Sequence, residues 1–202
     1  FRLRPKLSTA GIYSDNVFRT ESDEKEEFIA EIAPDVAIDF AFAPRNILTL
    51  SYEGDFRIYK NYDNFRKDHH LGSLSWNWTL PRGSNVGLGT NVQASAIQPF
   101  SEDSRAKDFV RWQAFAGGGL KLQKLTELGL RYDHISRRFD NSRDDQGDFD
   151  RNSVSLDMLY RRLPRLPLLL GYYFAAQDNN DPSGPSTDSI THRVFGGARW
   201  DP

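Results

Sequence analysis

The 202 residues carry 26 basic and 28 acidic side chains, a formal net charge of -2, and no cysteine. That balance leaves no electrostatic footprint for nucleic acid, and without thiols there is neither a disulfide framework nor a thiolate metal site. The mean hydropathy of -0.62 argues against a membrane-spanning helix in this chain, but not against a transmembrane β-barrel, whose polar lumen and loops mask the apolar half of each strand.

In chain order, the first predicted strand sets Phe1, Leu3, Leu7 and Tyr13 against Arg2, Arg4, Lys6 and Ser8. The second, EFIAEIAPDVAIDFAF over 27–42, has no ionised residue at any even position from Phe28 to Phe42 and places Glu31, Asp35 and Asp39 between them. That is the period of two expected of a strand. Its length exceeds the usual 5–6 residues or so and suits a tilted bilayer crossing, which needs about 9–11. The pattern continues in the third strand, where Leu48, Leu50, Tyr52 and Phe56 face away from Glu53, Asp55 and Arg57, and in the fourth, with Leu74, Trp76 and Trp78 against Ser73, Ser75 and Asn77. A fifth strand offers Val86, Leu88 and Val92 against Asn91 and Gln93, a sixth Val110 and Trp112 against Arg111 and Gln113, and a seventh Leu128, Leu130 and Tyr132 against Arg131, Asp133 and Arg137. Val154 to Tyr160, Leu168 to Ala176 and Ile190 to Trp200 complete the series. None of these apolar faces contains Asp, Glu, Lys or Arg. A single Lys or Arg there would cost about 2–4 kcal/mol at mid-bilayer.

The connections alternate in length. SDNVFRTESDEKE, KNYDNFRKD, QPFSEDSRAKD, FDNSRDDQGDFD and DNNDPSGPSTDS are long and polar, whereas APRN, PRGS, QKLT and RLPRLP are short. Outer-membrane barrels have long extracellular loops and short periplasmic turns, which puts both chain ends in the periplasm. Aromatic residues fall at both rims: Phe40, Phe42, Trp78 and Trp200 near the short turns, Tyr13, Phe28, Phe56, Trp112 and Tyr132 near the long loops. Such belts suit amphipathic rings at membrane interfaces. A soluble β-sandwich also alternates, but its strands are short and its links do not alternate in length.

The stretch PKLSTAGIYSDNVFRTESDEKEEFIAEIAPDVAIDF, followed by PRNILTLSYEGDFRIYKN, resembles the β-barrel porin 2 family of outer-membrane proteins. The resemblance rests on Tyr13-Ser14-Asp15-Asn16-Val17-Phe18, the Ser22–Lys25 loop, Pro34 in the second strand, and the Tyr52–Tyr59 strand with its Gly54-Asp55-Phe56-Arg57 core. It implies an outer-membrane barrel of a Gram-negative bacterium, longer than this chain and tied to exopolysaccharide or capsule export.

Two prolines, Pro5 and Pro34, fall inside strands, where each removes a ladder hydrogen bond, so a bulge or wide spot is expected beside them. Aligning Tyr13 with Phe28 sets Lys6 opposite Asp35 and Arg2 opposite Asp39, predicting two ion pairs. The lumen-lining set is then Arg2, Lys6, Glu31, Asp35, Asp39, Glu53, Asp55, Arg57, Arg111, Arg131, Asp133 and Arg137. Two roles suit it together: a salt-bridge ladder that stiffens the wall, and a polar conduit for a hydrated solute. Inward Tyr59, Phe115, Tyr173 and Phe195 fill space or stack on sugar rings.

No catalytic or metal site is expected. His134-Ile135-Ser136 has the spacing of the His-x-Ser pair in outer-membrane lipid A deacylases, but such a pair needs a carboxylate to orient the imidazole, and none is obvious on the neighbouring outward positions. His69 and His70 beside Asp68 are a weak metal signal, and Asp144, Asp145 and Asp148 lack the spacing of a calcium loop. The reading is therefore an all-β, transmembrane, antiparallel up-and-down β-barrel without cofactor, one domain over residues 1–202 and about ten strands here. Its partners are outer-membrane lipids, a polysaccharide solute, and further strands or another chain, since Phe1 lies within a strand and Trp200-Asp201-Pro202 leads into a turn. A general diffusion porin and a plugged scaffold barrel are the alternatives.

Overall fold

The computed structural model describes residues 1–16, 25–61, 67–97, 107–123, 125–140, 147–161, 166–179 and 188–198. Ten strands form one sheet: β1 Arg2–Ser14, β2 Glu27–Ala43, β3 Asn46–Tyr59, β4 Lys67–Thr79, β5 Asn85–Ile97, β6 Lys107–Gln123, β7 Thr126–Phe139, β8 Phe149–Tyr160, β9 Leu168–Asn179 and β10 Ser189–Ala198. Each pairs antiparallel with its neighbours in chain order, the up-and-down topology expected of the sequence. Among the described residues, β1 pairs with β2 alone and β10 with β9 alone.

Strand lengths of 10 to 17 residues follow from the alternation. A strand of 13 residues extends about 43 Å, and tilted by about 45° it covers about 30 Å, the thickness of the hydrocarbon core. Several strands run past the apolar stretch at their long-loop ends; β8 begins at Phe149 instead of Val154. There Arg138 and Asp150, on the apolar face, pair with each other. Between β4 and β5, Pro81–Gly83 forms a 3-10 turn in which Arg82 (φ 68) and Gly83 (φ 81) are both left-handed. Gly83 takes that conformation without Cβ strain.

The register of β1 on β2 is the expected one, with Tyr13 opposite Phe28, Lys6 opposite Asp35 and Arg2 opposite Asp39. Of the two accommodations expected at the prolines, a bulge or a wide spot, this pair shows no bulge. On the other side of β2, pairing with β3 is interrupted at Ala33 and Pro34 and resumes at Asp35 opposite Glu53 in unchanged register. Gly54 occupies the place across from Pro34, and a Cβ there would meet Pro34, Phe56 and Tyr52. Glycine makes room for the ring that proline pushes into the ladder. The bulges that do occur lie beside short turns, at Ala41/Ala43 and Lys121/Gln123.

Burial is inverted relative to a soluble domain. Leu130 is 56% exposed and Leu170 53% exposed, whereas the side chain of Asp133 is only 18% exposed and that of Asp39 21%. Water-soluble proteins do the opposite with charge. The fully covered side chains Ile29, Ala37, Tyr59, Ser153 and Ala175 also share the polar face. That face is the crowded one.

Three of the four histidines stand on the apolar face, each held by a neighbouring strand. Tyr52 Oη lies 2.8 Å from His70 Nδ1 and Tyr172 Oη 2.7 Å from His192 Nδ1. His134 Nδ1 lies 2.9 Å from Asn152 Oδ1, which also accepts the Tyr132 hydroxyl at 2.7 Å. Phe56, Trp112 and Phe174 pack on the three imidazoles. These clusters form a slanted polar-aromatic row on the long-loop side of the apolar band.

Placing a cation on the exposed apolar face tests which side meets lipid. Leu130→Arg should lower refolding stability in lipid vesicles by about 2–4 kcal/mol, and Asn91→Arg on the polar face by far less; denaturant titration of both variants measures the difference.

Candidate functional site

The polar face carries most of the ionised side chains, and beyond β1, which brings Arg2, Arg4 and Lys6, the strands sort them by sign. On β2 and β3 stand Glu27, Glu31, Asp35, Asp39, Glu53 and Asp55, with Arg57 as the one cation of those two strands on that face. On β6 to β10 the same face presents Arg111, Arg131, Arg137, Arg151 and Arg193. Asp133, Asp157 and Glu127 are the acids among them.

The ion pairs differ in part from those expected. Asp39 accepts from Arg4 Nη2 at 2.9 Å and from the Thr49 hydroxyl at 2.9 Å, while Arg2, its partner in register, does not bond to it. A long guanidinium reaches the diagonal neighbour as readily as the direct one. Lys6 and Asp35 are opposed in register yet form no ion pair among the described residues. Arg57 bridges Glu31 at 2.9 Å and Asp55 at 3.4 Å. Arg131 makes a two-pronged contact with Asp133, Nε to Oδ2 at 2.8 Å and Nη2 to Oδ1 at 2.7 Å, and Asp133 also accepts from Gln113 at 3.0 Å.

Two arginines stand differently. Arg137 donates to the Gly147 carbonyl through Nε (3.0 Å) and Nη2 (2.8 Å), with its guanidinium 4.6 Å from the Phe149 ring centre. It ties the end of a long loop to the wall. Arg111 lies opposite Arg137, and its buried Nε has no hydrogen-bond partner among the described residues. Two opposed guanidiniums repel one another and favour an anion between them.

Aromatic residues on this face are seated on glycines of the adjacent strand. Phe115 lies over Gly89 and Phe195 over Gly171, as when a cross-strand ring covers an otherwise bare backbone. Arg131 stacks on Phe115 at 4.5 Å.

Sequence reasoning missed Glu27, Arg151 and Arg193. Glu27, 1% exposed, accepts from the backbone N–H groups of Phe28 (2.7 Å), Lys60 (3.1 Å) and Asn61 (3.0 Å). Its signal was the alternation itself, since it shares parity with Glu31, Asp35 and Asp39. Arg151 and Arg193 lie in the last three strands, where the reading of the polar face reached the rings of Tyr173 and Phe195 but not the arginines beside them.

The hydrolase and metal readings fare as follows. The neighbour on His134 Nδ1 is the Asn152 amide and not a carboxylate, and no hydrogen bond joins Ser136 to His134 among the described residues. His69 and His70 belong to opposite faces, and no group of three metal-binding side chains occurs among the described residues. Asp148 accepts the Phe139 N–H at 2.7 Å, and Asp144 and Asp145 lie outside the described residues.

No family model matches the chain, and no curated protein does. Two solved structures follow a similar path: the NanC porin, 8% identical over 98% of this chain and 93% of that one (TM-score 0.49), and the open form of the ferric-catecholate import receptor Fiu from E. coli K12, 10% identical over 97% and 46% (TM-score 0.48). At such identities and scores neither likeness says what this chain binds.

The Glu27 clamp can be tested on its own. Glu27→Ala should leave the Asn61 amide without its acceptor, and the Lys60 amide with the Phe28 carbonyl alone; it should cost about 1–3 kcal/mol and speed hydrogen exchange most at Asn61 while sparing mid-strand amides of β3.

Proposed function

We propose that this chain forms the wall of an outer-membrane channel in a Gram-negative bacterium, with the long loops outside and both chain ends in the periplasm. The observation that carries the reading is the inversion of burial: leucines exposed on one face, carboxylates and guanidiniums gathered on the other. In hydrocarbon, backbone polar groups must be satisfied within the protein, and a closed barrel is how strands achieve this. The edges of β1 and β10 therefore call for further strands, from this or another chain, to complete the wall. Around a closed wall the polar face becomes a wet lumen.

The solute we propose is a polysaccharide under export. Its support is the resemblance to the β-barrel porin 2 family through residues 5–61 and a lining rich in amides, hydroxyls and seated rings, which suits hydrated sugars better than apolar solutes. Asn91, Gln93, Gln113, Thr49, Ser51 and Ser73 belong to that lining.

Planar-bilayer conductance of the full-length protein, with and without added exopolysaccharide, tests both parts. Open-channel current that the polysaccharide blocks at one side is expected; an electrically silent barrel would remove the channel reading, and current indifferent to polysaccharide would leave a general diffusion pore. The double variant Asp35→Asn with Glu53→Gln should make the channel less cation-preferring, shifting the reversal potential in a salt gradient toward that for anions by several millivolts.

A further inference from the structure

Resting on the reading of the polar face as a solute path, we propose that the surface of β8, β9 and β10 holds a subsite for a sugar carboxylate, the uronate unit of an acidic polysaccharide. The three strands line an open recess of about 620 Å³ on the polar face, within the range of roughly 300–1,000 Å³ typical of small-ligand sites. Tyr173 stands at its centre, opposite Ser155 on one side and Arg193 on the other. Arg151 enters from the long-loop side and Phe195 from the short-turn side.

The two guanidiniums are the reason for assigning an anion. Neither Arg151 nor Arg193 forms an ion pair among the described residues, whereas Arg4, Arg57, Arg131, Arg138 and Arg161 each do; Asp133, the acid diagonal to Arg151, is held by Arg131. Arg151 donates to the Tyr173 hydroxyl and lies 5.9 Å from the centre of that ring. The contact fixes its planar fork at the cavity wall without neutralising it. Such forks match a carboxylate with two parallel N–H···O bonds.

The rings are the reason for assigning a sugar to that anion. Phe195 is seated on Gly171, where a Cβ would come within 2.1 Å of the ring. It is thus backed by main chain. Tyr173 and Phe195 offer apolar surface to the C–H face of a pyranose, and Gln177 offers an amide to its hydroxyls. An inorganic anion would need the arginines and make no use of the rings.

Calorimetric titration of the full-length protein in detergent separates these contributions, with tetragalacturonate, maltotetraose and sodium sulfate as probes. Tetragalacturonate should bind at least tenfold more tightly than either other probe. The double variant Arg151→Gln with Arg193→Gln should weaken it tenfold or more, and Arg151→Lys with Arg193→Lys, which preserves charge and fold, about threefold. Equal binding of maltotetraose, equal binding of sulfate, or unchanged affinity in the Gln variant each overturns the subsite. Conductance of the same preparation keeps the two readings apart: uronate binding by a barrel that carries no current upholds the subsite and overturns the channel, and current without uronate preference does the reverse.

Discussion

The rest of the structure depends on the obligation of every main-chain N–H and C=O to find a partner where water is absent. A continuous antiparallel ladder meets it along ten strands, and the ladder fixes what the side chains can do. Successive residues must alternate between faces, so one face can be given to lipid and the other to charge. Where proline breaks the obligation, the sequence answers locally: Gly54 stands across from Pro34, and the register is the same on either side of the gap. Where a strand ends, the obligation passes to a side chain. Glu27 gathers in this way two main-chain donors just past the end of β3, Lys60 and Asn61, and the Phe28 N–H beside it on β2.

Charge on the polar face is arranged by the same geometry. Pairs that are adjacent or diagonal across the ladder, Arg57 with Glu31 and Arg4 with Asp39, neutralise each other and hold the wall. Exposed pairs of this type contribute little stability, so their main consequence is where they leave charge uncompensated. Acids remain in excess on β2 and β3, guanidiniums on β6 to β10. A solute path between such walls would meet opposite signs on its two sides.

Much of the fold was legible because its cause is periodic. Alternation located ten strands, and the alternating length of the links ordered them. The β1–β2 register followed from aligning one aromatic pair. Strand ends were less legible: β8 opens with Phe149 and Asp150, in a stretch that reads as loop because its polarity belongs to the membrane surface. Contacts within the site were least legible. Period two puts Arg2 and Arg4 on the same face but does not say which of them leans toward Asp39, since that depends on side-chain reach. The cavity beside Tyr173 escaped for another reason. It is assembled from three strands, each of which contributes an unremarkable Arg, Gln or Phe.

The slanted row of histidines gives the sheet a depth gauge. A line drawn straight across the ladder from His70 passes Ala94 and Val110 to Arg138, but the next histidine on β7 is His134, four residues nearer the short turns. From His134 the straight line passes Asn152 and Ala176 to Ile190, and His192 is two residues nearer the short turns. The drift is six residues over six strands; at about 3.3 Å per residue and 4.8 Å per strand it corresponds to a tilt of about 35°, as in closed barrels. Contours of equal depth therefore cut obliquely through the hydrogen-bond rows. Followed at one residue per strand from Glu53, such a contour reaches Asp133 on β7 and Tyr173 on β9, and Arg193 and Phe195 straddle it on β10. Residues separated by most of the sheet thus share one plane parallel to the membrane, and a solute crossing that plane would encounter the β3 carboxylate and the β10 guanidinium in the same step.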